Sequence, residues 1–279
     1  NISAVYGILN GTCNYILTTM RETGEDFAAV LTAAQEKGYA EADPSFDIDG
    51  IDAAHKLCIL SALAYGVQPE LKTVKISGIR HITAKDISYA QELGYKIKLL
   101  GITRRAEKEI MQSVEACLVP AASMLGSVEG VYNGIRIEGD FAGVGLSVGR
   151  GAGGGPTASA VVSDIVDLAR GHKIPPFGIP AESMKKALWA GTDQVLSRFY
   201  MHLQVLDKPG VLADISAIMR DNGLSIEAVI QRGRDPEKPV SIVLTTHAVK
   251  RHEMERGAEA IGKLNAIMCK PCLLRIETF

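Results

Sequence analysis

The segment KIKLLGITRRAEKEIMQSVEACL, residues 96–118, contains the pattern on which the fold class depends. Residues 96–104 and 110–118 are β-rich, and a short, mostly charged insert separates them, which predicts two strands. Downstream, Asn133-Gly134 lies between two short apolar runs and predicts a tight hairpin turn. The residues before this region are mainly helical in pattern. Helices followed by mostly antiparallel strands predict an α+β fold, with helices packed on a mostly antiparallel sheet.

The first elements of the chain follow from apolar periodicity and helix-end signals. A short apolar strand at residues 3–9 leads into a helix at 13–22, and a second helix at 26–37 ends at Gly38. The N-terminus of the first helix presents backbone N–H groups that suit a carboxylate or a phosphate. An ordinary capped helix explains the same residues equally well.

The last third of the chain has a different organisation. Three prolines between residues 175 and 180 mark a linker at 176–197. Residues 198–279 then show strand and helix patterns in the order βαββαβ, with a polar turn predicted at 232–239. The predicted organisation is an N-terminal region at 1–175, the linker, and a ferredoxin-like C-terminal domain.

The stretch GYAEADPSFDIDGIDAAHK, residues 38–56, places five carboxylates in twelve positions and ends on Lys56. Like charges at this density repel one another, so a cation is expected among them: a metal ion, a substrate ammonium group, or else only water solvates the loop. Asp49 is expected to cap a helix that continues to about residue 65. On that helix Asp52 and Lys56 are four residues apart and therefore share a face.

Metal binding can be tested by spacing. Ser45, Asp47, Asp49 and Gly50 match positions 1, 3, 5 and 6 of a calcium-binding EF-hand loop, but Lys56 occupies position 12, where a bidentate Glu is required. No His–Cys cluster nearby supports zinc. An ammonium-bearing substrate and a solvated acidic loop therefore remain the alternatives.

A glycine-rich run, GRGAGGGPT at residues 149–157, precedes a helix that is expected to start at Pro156. Gly149, Gly151 and Gly154 satisfy G-x-G-x-x-G, which is a weak match by itself. No second strand with an acidic end follows the helix, so a complete Rossmann unit is not expected. A loop over part of a cofactor or phosphate and a tight structural turn both fit this run.

Composition excludes several classes of protein. The net charge is −2, and no Lys/Arg block with interleaved aromatic residues indicates nucleic-acid binding. No apolar run reaches the roughly 18–20 residues that a membrane span needs. Five cysteines, an odd number in apolar surroundings, predict reduced thiols in a cytoplasmic protein. The chain starts NISAVYG without Met and is expected to be a segment of a longer protein.

Four sequence motifs resemble known families. N-G-T-x-N-Y-I-L at residues 10–17 and G-Y-A-E-x-D-P-x-x-D-x-x-G-x-D-x-x-x-K at 38–56 closely resemble the substrate-binding part of homoserine dehydrogenase. G-A-G-G-G-P-T-A-S at 151–159 resembles the segment in which the chain of that family re-enters its nucleotide-binding domain. L-D-K-P-G-V-L-A-D-I-S at 206–216 resembles an ACT regulatory domain, and this order is that of the longer bacterial homoserine dehydrogenases.

The resemblance implies NAD(P)-dependent interconversion of L-homoserine and L-aspartate 4-semialdehyde, in threonine, methionine and isoleucine biosynthesis. It implies Lys56 as the catalytic proton donor and acceptor. The substrate-binding residues that it implies are Glu41, Asp52, Thr12, Tyr39 and Asp47, and those near the cofactor are Gly38 and Gly155. Paired carboxylates suit the ammonium of homoserine, and a lysine ammonium can protonate the alkoxide that forms when the aldehyde is reduced.

The resemblance also implies partners. The cofactor would be NADP or NAD, and the full-length family binds a monovalent cation. Most of the cofactor site and the cation ligands belong to a Rossmann domain that is not in these 279 residues, so this chain alone is expected to be inactive. A homodimer or homotetramer is expected, with an amino-acid effector such as threonine at the ACT domain. The alternative is a non-catalytic, amino-acid-binding regulatory and oligomerisation module.

Overall fold

The computed structural model describes residues 1–232 and 238–279. In chain order, the helices and strands are β1 (Ile2–Ile8), α1 (Gly11–Thr23), α2 (Phe27–Glu36), α3 (Ser45–Ile48), α4 (Ile51–Tyr65), β2 (Lys75–Ile76), α5 (Ala84–Glu92), β3 (Tyr95–Ala106), β4 (Glu109–Pro120), β5 (Tyr132–Gly139), β6 (Gly143–Arg150), α6 (Gly154–Ala169), β7 (Leu188–Trp189), β8 (Leu196–Leu206), α7 (Val211–Asp221), β9 (Ile226–Gln231), β10 (Pro239–Thr246), β11 (Val249–Lys250), α8 (Arg251–Gly262) and β12 (Cys272–Ile276). Within the described ranges, no helix is both long and apolar enough to cross a membrane.

The sheet is built around the antiparallel pair β3–β4. Tyr95 pairs with Pro120 and Ala106 with Glu109, so the pairing extends along both strands. The strand order is β6-β5-β1-β3-β4-β12-β8-β10-β9, and most neighbours are antiparallel. The predicted α+β fold, with helices on a mostly antiparallel sheet, is confirmed.

The N-terminal helices cover this sheet with their apolar sides. In α1, Cys13, Ile16, Leu17 and Met20 recur at helical spacing and are all buried. They share a core with side chains of α4, α5, β3 and β4. The helix ends at Gly24, whose φ of 75° lets the chain turn away.

The C-terminal elements β8-α7-β9-β10-α8-β12 confirm the predicted βαββαβ order. In the sheet they lie in the order β12-β8-β10-β9, as in other ferredoxin-like units. Helices α7 and α8 pack on one face, where Met201 and Leu244 join Ile215, Met254 and Ile261 in one core.

The N-terminal and C-terminal regions share one sheet. Strand β12 pairs in parallel with β4, through Arg275 with Cys117 and Ile276 with Leu118. Tyr200 of β8 is buried in the same core as the N-terminal helices. The division into regions at residues 175 and 198 stays a prediction. Backbone hydrogen bonds between β4 and β12 connect the two regions within the sheet.

The predicted hairpin turn at Asn133-Gly134 is wrong. Both residues lie inside β5, where Gly134 pairs with Ile8 on one side and with Val148 on the other. The chain reverses instead after Gly139, within residues 140–142. A Cβ on Gly134 would lie 3.0 Å from Val128, so this glycine permits a close approach of elements rather than a turn.

Two predicted helix starts are also wrong. Asp49 does not cap α4: it ends the short helix α3, and Gly50, with φ of 85°, precedes α4. Asp49 instead forms an ion pair with Arg80, so a tertiary partner replaces the local cap. Helix α6 begins at Gly154, two residues before Pro156. The predicted turn at 232–239 lies largely outside the described residues.

Candidate functional site

Asn10, at the junction of β1 and α1, connects three parts of the acidic region. Its side-chain oxygen accepts a hydrogen bond from the Cys13 backbone N–H (2.8 Å) and thereby caps α1. Its amide nitrogen donates to Asp47 Oδ1 (2.7 Å) and to Asp52 Oδ2 (2.9 Å). Asn10 is buried, so this one amide brings a carboxylate from α3 and one from α4 to the start of α1.

Lys56 joins the same group through Asp52. Its ammonium donates to Asp52 Oδ2 at 2.6 Å and to the Leu9 carbonyl oxygen at 3.1 Å. The predicted shared face of Asp52 and Lys56 is confirmed. The lysine side chain is 47% exposed, whereas that of Asp52 is 20% exposed. The Lys56 ammonium is therefore anchored by two protein acceptors, on a side chain that is about half exposed to solvent.

The electrostatic balance of this group is negative. Asp47 and Asp52 face one ammonium, that of Lys56, and the neutral amide of Asn10. The nearby Cys13 thiol has a pKa well above its usual value, first because it is buried and then because Asp47 and Asp52 are negative. The thiol therefore stays protonated and is no nucleophile. The net negative group favours binding of an added cation such as an ammonium.

Thr12 and Tyr39 form a second group beside the first turn of α1. The Thr12 hydroxyl donates to the Tyr39 carbonyl oxygen at 2.8 Å. The Tyr39 ring lies 4.8 Å from the Tyr15 ring, centroid to centroid, and Lys37 donates to the Tyr15 hydroxyl at 3.0 Å. Gly38 has φ of 72°, a conformation that favours glycine and turns the chain from α2 toward α1.

The remaining acids have different surroundings. Glu41 is exposed, and only its backbone oxygen has a described hydrogen bond, from Gln35 (2.9 Å). Asp43 accepts a hydrogen bond from the Ser45 backbone N–H. Asp49 forms an ion pair with Arg80, in which Arg80 Nη2 donates to Asp49 Oδ2 at 3.0 Å. Hydrogen bonds thus join Asp47 to Asp52 through Asn10, and Lys56 through Asp52. Asp43 and Asp49 bind residues outside this group, and the Glu41 side chain is not part of it.

Sequence reasoning missed Asn10 as a site residue. The signal was present, because Asn is a favoured N-cap and stands immediately before a helix in the N-G-T motif. Its two carboxylate partners lie 37 and 42 residues further along the chain, and sequence alone does not reveal them.

Some glycines of the glycine-rich run, residues 149–157, are required by close contacts or by their backbone conformation, whereas others have free space around them. A Cβ on Gly151 would lie 2.7 Å from the Asn133 side chain, and Gly153 has φ of 107°. A Cβ on Gly154 or on Gly155, in the first turn of α6, would meet no atom within 4 Å. The N-cap residue of this helix, Gly153, has no side chain to form a cap hydrogen bond. The open N-terminus fits one edge of an anionic cofactor, and the described strands do not complete a Rossmann unit around it.

A family model for homoserine dehydrogenase matches residues 1–166. The chain belongs to the homoserine dehydrogenase family. A model for the ACT domain matches residues 203–266, within the ferredoxin-like unit.

Individual homoserine dehydrogenases agree with this assignment. The protein of Neisseria gonorrhoeae is 41% identical over 99% of this chain and 65% of its own length. The crystal structure of the enzyme from Thiobacillus denitrificans is 42% identical, with a TM-score of 0.90, over 99% of this chain and 64% of that one. A hyperthermophilic archaeal homoserine dehydrogenase in complex with NADPH is 31% identical, with a TM-score of 0.52, over 61% of this chain and 48% of that one. This chain therefore spans about 65% of the length of the curated relatives that it matches.

Proposed function

We propose that residues 1–175 supply the substrate-binding and proton-transfer groups of a homoserine dehydrogenase, which interconverts L-homoserine and L-aspartate 4-semialdehyde with NAD(P). The observation that carries this proposal is the group formed by Asn10, Asp47, Asp52 and Lys56. It combines a negative site for an ammonium with a positioned acid, and this reaction requires both.

In the proposed mechanism, Asp52 and Asp47 accept hydrogen bonds from the substrate ammonium, and the exposed carboxylate of Glu41 adds a third acceptor. Bound NAD(P)H supplies the hydride. As the aldehyde carbon is reduced, the Lys56 ammonium gives a proton to the developing alkoxide, and homoserine results. In the reverse direction, neutral Lys56 accepts the hydroxyl proton.

The other predicted site residues surround this group in the proposal. Thr12 and Tyr39 contact the substrate, and the hydrogen bond from the Thr12 hydroxyl to the Tyr39 carbonyl oxygen, which holds the two residues together, supports this role. Gly38 and Gly155 lie near the cofactor; the open first turn of α6 supports this role for Gly155. The choice between NADP and NAD, and the monovalent cation of the family, depend on residues outside these groups.

For residues 198–279 we propose an ACT regulatory domain that binds an amino acid such as threonine and pairs across subunits in a homodimer or homotetramer. The βαββαβ order and the matching family model support this function.

All five cysteines are free, which favours the cytoplasm as the compartment.

Calorimetry with L-homoserine tests the substrate site. Binding to the chain is expected to weaken at least tenfold in Asp52→Asn, because the substituted amide cannot pair with an ammonium as a carboxylate does. His55→Gln, on an exposed position of the same helix, is the matched control and keeps wild-type affinity. Equal affinity in Asp52→Asn and wild type would contradict the proposed site.

A second assay supplies NADPH and L-aspartate 4-semialdehyde to residues 1–279. No NADPH oxidation is expected, because the described strands include no complete dinucleotide-binding unit. Appreciable turnover that is lost in Lys56→Met would support the role of Lys56 and would contradict the expected inactivity of this chain.

A further inference from the structure

A cavity of about 860 Å³ lies between the C-terminal unit and the N-terminal part of the sheet. The N-terminal region contributes Lys75 of β2 and Glu115 of β4 to its lining, and the C-terminal unit contributes Phe199, Arg251 and Arg275. This volume is within the range of small-molecule sites, about 300–1,000 Å³. None of its lining residues belongs to the group formed by Asn10, Asp47, Asp52 and Lys56.

Two buried arginines share one carboxylate in this cavity. The side chains of Arg251 and Arg275 are only 7% and 3% exposed. Arg251 Nη2 donates to both oxygens of Glu115 at 2.7 Å, and Arg275 Nη2 lies 3.3 Å from Glu115 Oε1. Burial opposes ionisation of Glu115, but the two guanidinium groups outweigh it and hold the pKa of this carboxyl below its usual value. The buried triad therefore has a net positive charge.

Neighbouring acids do not remove this excess. Glu277 lies 3.3 Å from Arg275 but also forms an ion pair with Arg104. Glu255 lies 3.7 Å from Arg251 Nη1 but binds Lys75 at 2.6 Å. In both cases a carboxylate that approaches a buried arginine is shared with another cation.

Three guanidinium donors lack an acceptor. Nε of Arg251 and both Nε and Nη2 of Arg275 are buried and have no hydrogen-bond partner within the described part of the chain. Buried donors are nearly always satisfied in folded proteins, because an unsatisfied one destabilises the fold. Lys270, which also lines the cavity, is exposed and forms no ion pair among the described residues. The positive charge of the cavity lining is thus not balanced, and Lys270 exposes part of it to solvent.

We propose that this cavity binds a small organic anion, whose carboxylate or phosphate group pairs with Arg251, Arg275 and Lys270. Guanidinium groups suit both anions because their planar N–H donors match two oxygens at once. Apolar side chains of the lining, including Phe199 and Leu274, contact the rest of the ligand. The ligand touches both regions of the chain, so its binding stabilises their junction. This site is additional to the proposed catalytic and ACT functions.

Calorimetric titration of the 279-residue chain with citrate and, separately, with inorganic phosphate tests the proposal. Ionic strength is held constant with chloride, because screening alone changes the affinity for any anion. We expect saturable binding of at least one probe and a rise in melting temperature with its concentration. Citrate alone indicates a carboxylate ligand, and phosphate alone indicates a phosphate ligand. Absence of saturable binding by both probes overturns the proposal.

Surface variants locate the binding and leave the buried arginines intact. Lys270→Glu is expected to weaken binding at least tenfold, whereas Lys238→Glu, an exposed lysine outside the cavity lining, leaves it unchanged. Glu255→Gln removes a competing carboxylate and is expected to tighten binding several-fold. Equal weakening by Lys270→Glu and Lys238→Glu would show a general charge effect and would contradict the site.

Discussion

His202 Nδ1 lies 2.7 Å from Asp86 Oδ1, and this contact joins β8 to α5 in the buried junction between the two regions. Asp86 also accepts hydrogen bonds from the Tyr200 hydroxyl (3.2 Å) and from the Thr83 backbone N–H and hydroxyl (3.0 and 2.6 Å). One carboxylate therefore closes the capping box of α5 and fixes two side chains of β8. Although burial opposes its ionisation, hydrogen bonds from His202 and Thr83 lower the pKa of Asp86.

Asp86→Asn is expected to reduce the free energy of unfolding by about 1–3 kcal/mol at pH 7, because a buried charge-assisted network loses its acceptor. A carboxylate with a lowered pKa stabilises the fold above the ordinary carboxyl pKa and loses this effect as pH falls through its folded pKa. The difference between the wild type and Asp86→Asn should therefore shrink below about pH 4. Urea unfolding at several pH values measures it, with Asp164→Asn on exposed α6 as the control. A difference that is independent of pH would contradict this role.

Replacements of Asn10 separate its two functions. Asn10→Ser keeps an N-cap oxygen but removes the amide that donates to Asp47 and Asp52. We expect this variant to weaken L-homoserine binding with a small loss of stability. Asn10→Ala also loses the cap, which costs about 1 kcal/mol more. Calorimetry and urea unfolding measure the two effects. Unchanged substrate affinity in both variants would show that Asn10 supports only the fold.

Deprotonation of Lys98 is expected to make the free energy of unfolding increase as the pH rises above about 8. Burial is the main cause that lowers the pKa of Lys98 to about 8, while Glu129 opposes the shift. The unfolded chain keeps this proton up to about pH 10.4, so between the two values it binds more protons than the folded chain, and stability rises with pH. The contribution of this group is about 3 kcal/mol at most.

Lys98→Met tests this prediction because it removes the titrating group. The rise in unfolding free energy between pH 8 and 10 should be smaller in Lys98→Met than in the wild type. Lys72→Met, at an exposed position, should follow the wild type. Identical slopes for Lys98→Met and the wild type would refute the assignment.

Gly78→Ala is expected to displace helix α3. A Cβ on Gly78 would lie 2.1 Å from the Ile48 carbonyl oxygen and 2.5 Å from Asp49 Cα, and both are backbone atoms. Such overpacking costs about 1–3 kcal/mol. Gly149→Ala, where a Cβ meets nothing within 4 Å, is the matched control. Thermal unfolding compares the two variants, and equal melting temperatures would contradict the prediction.

Local features of the fold were predictable from the sequence. The β3 and β4 segments, the βαββαβ order and the shared face of Asp52 and Lys56 all depend on periodicity or on spacing of a few residues. The structural predictions were wrong where a tertiary contact overrode a local sequence signal. The Asn133-Gly134 dipeptide favours a turn, but strands on both sides of β5 hold it extended.

The sequence by itself thus determined the fold class, the βαββαβ order of the C-terminal unit and the family of the chain, because these depend on patterns within neighbouring residues. The tertiary structure decided that Asn10 joins Asp47 to Asp52, that β12 extends the sheet from β4, and that two buried arginines face one cavity. Each of these contacts connects residues that are far apart in the chain. Their partners are set by strand register and core packing, which no local pattern encodes.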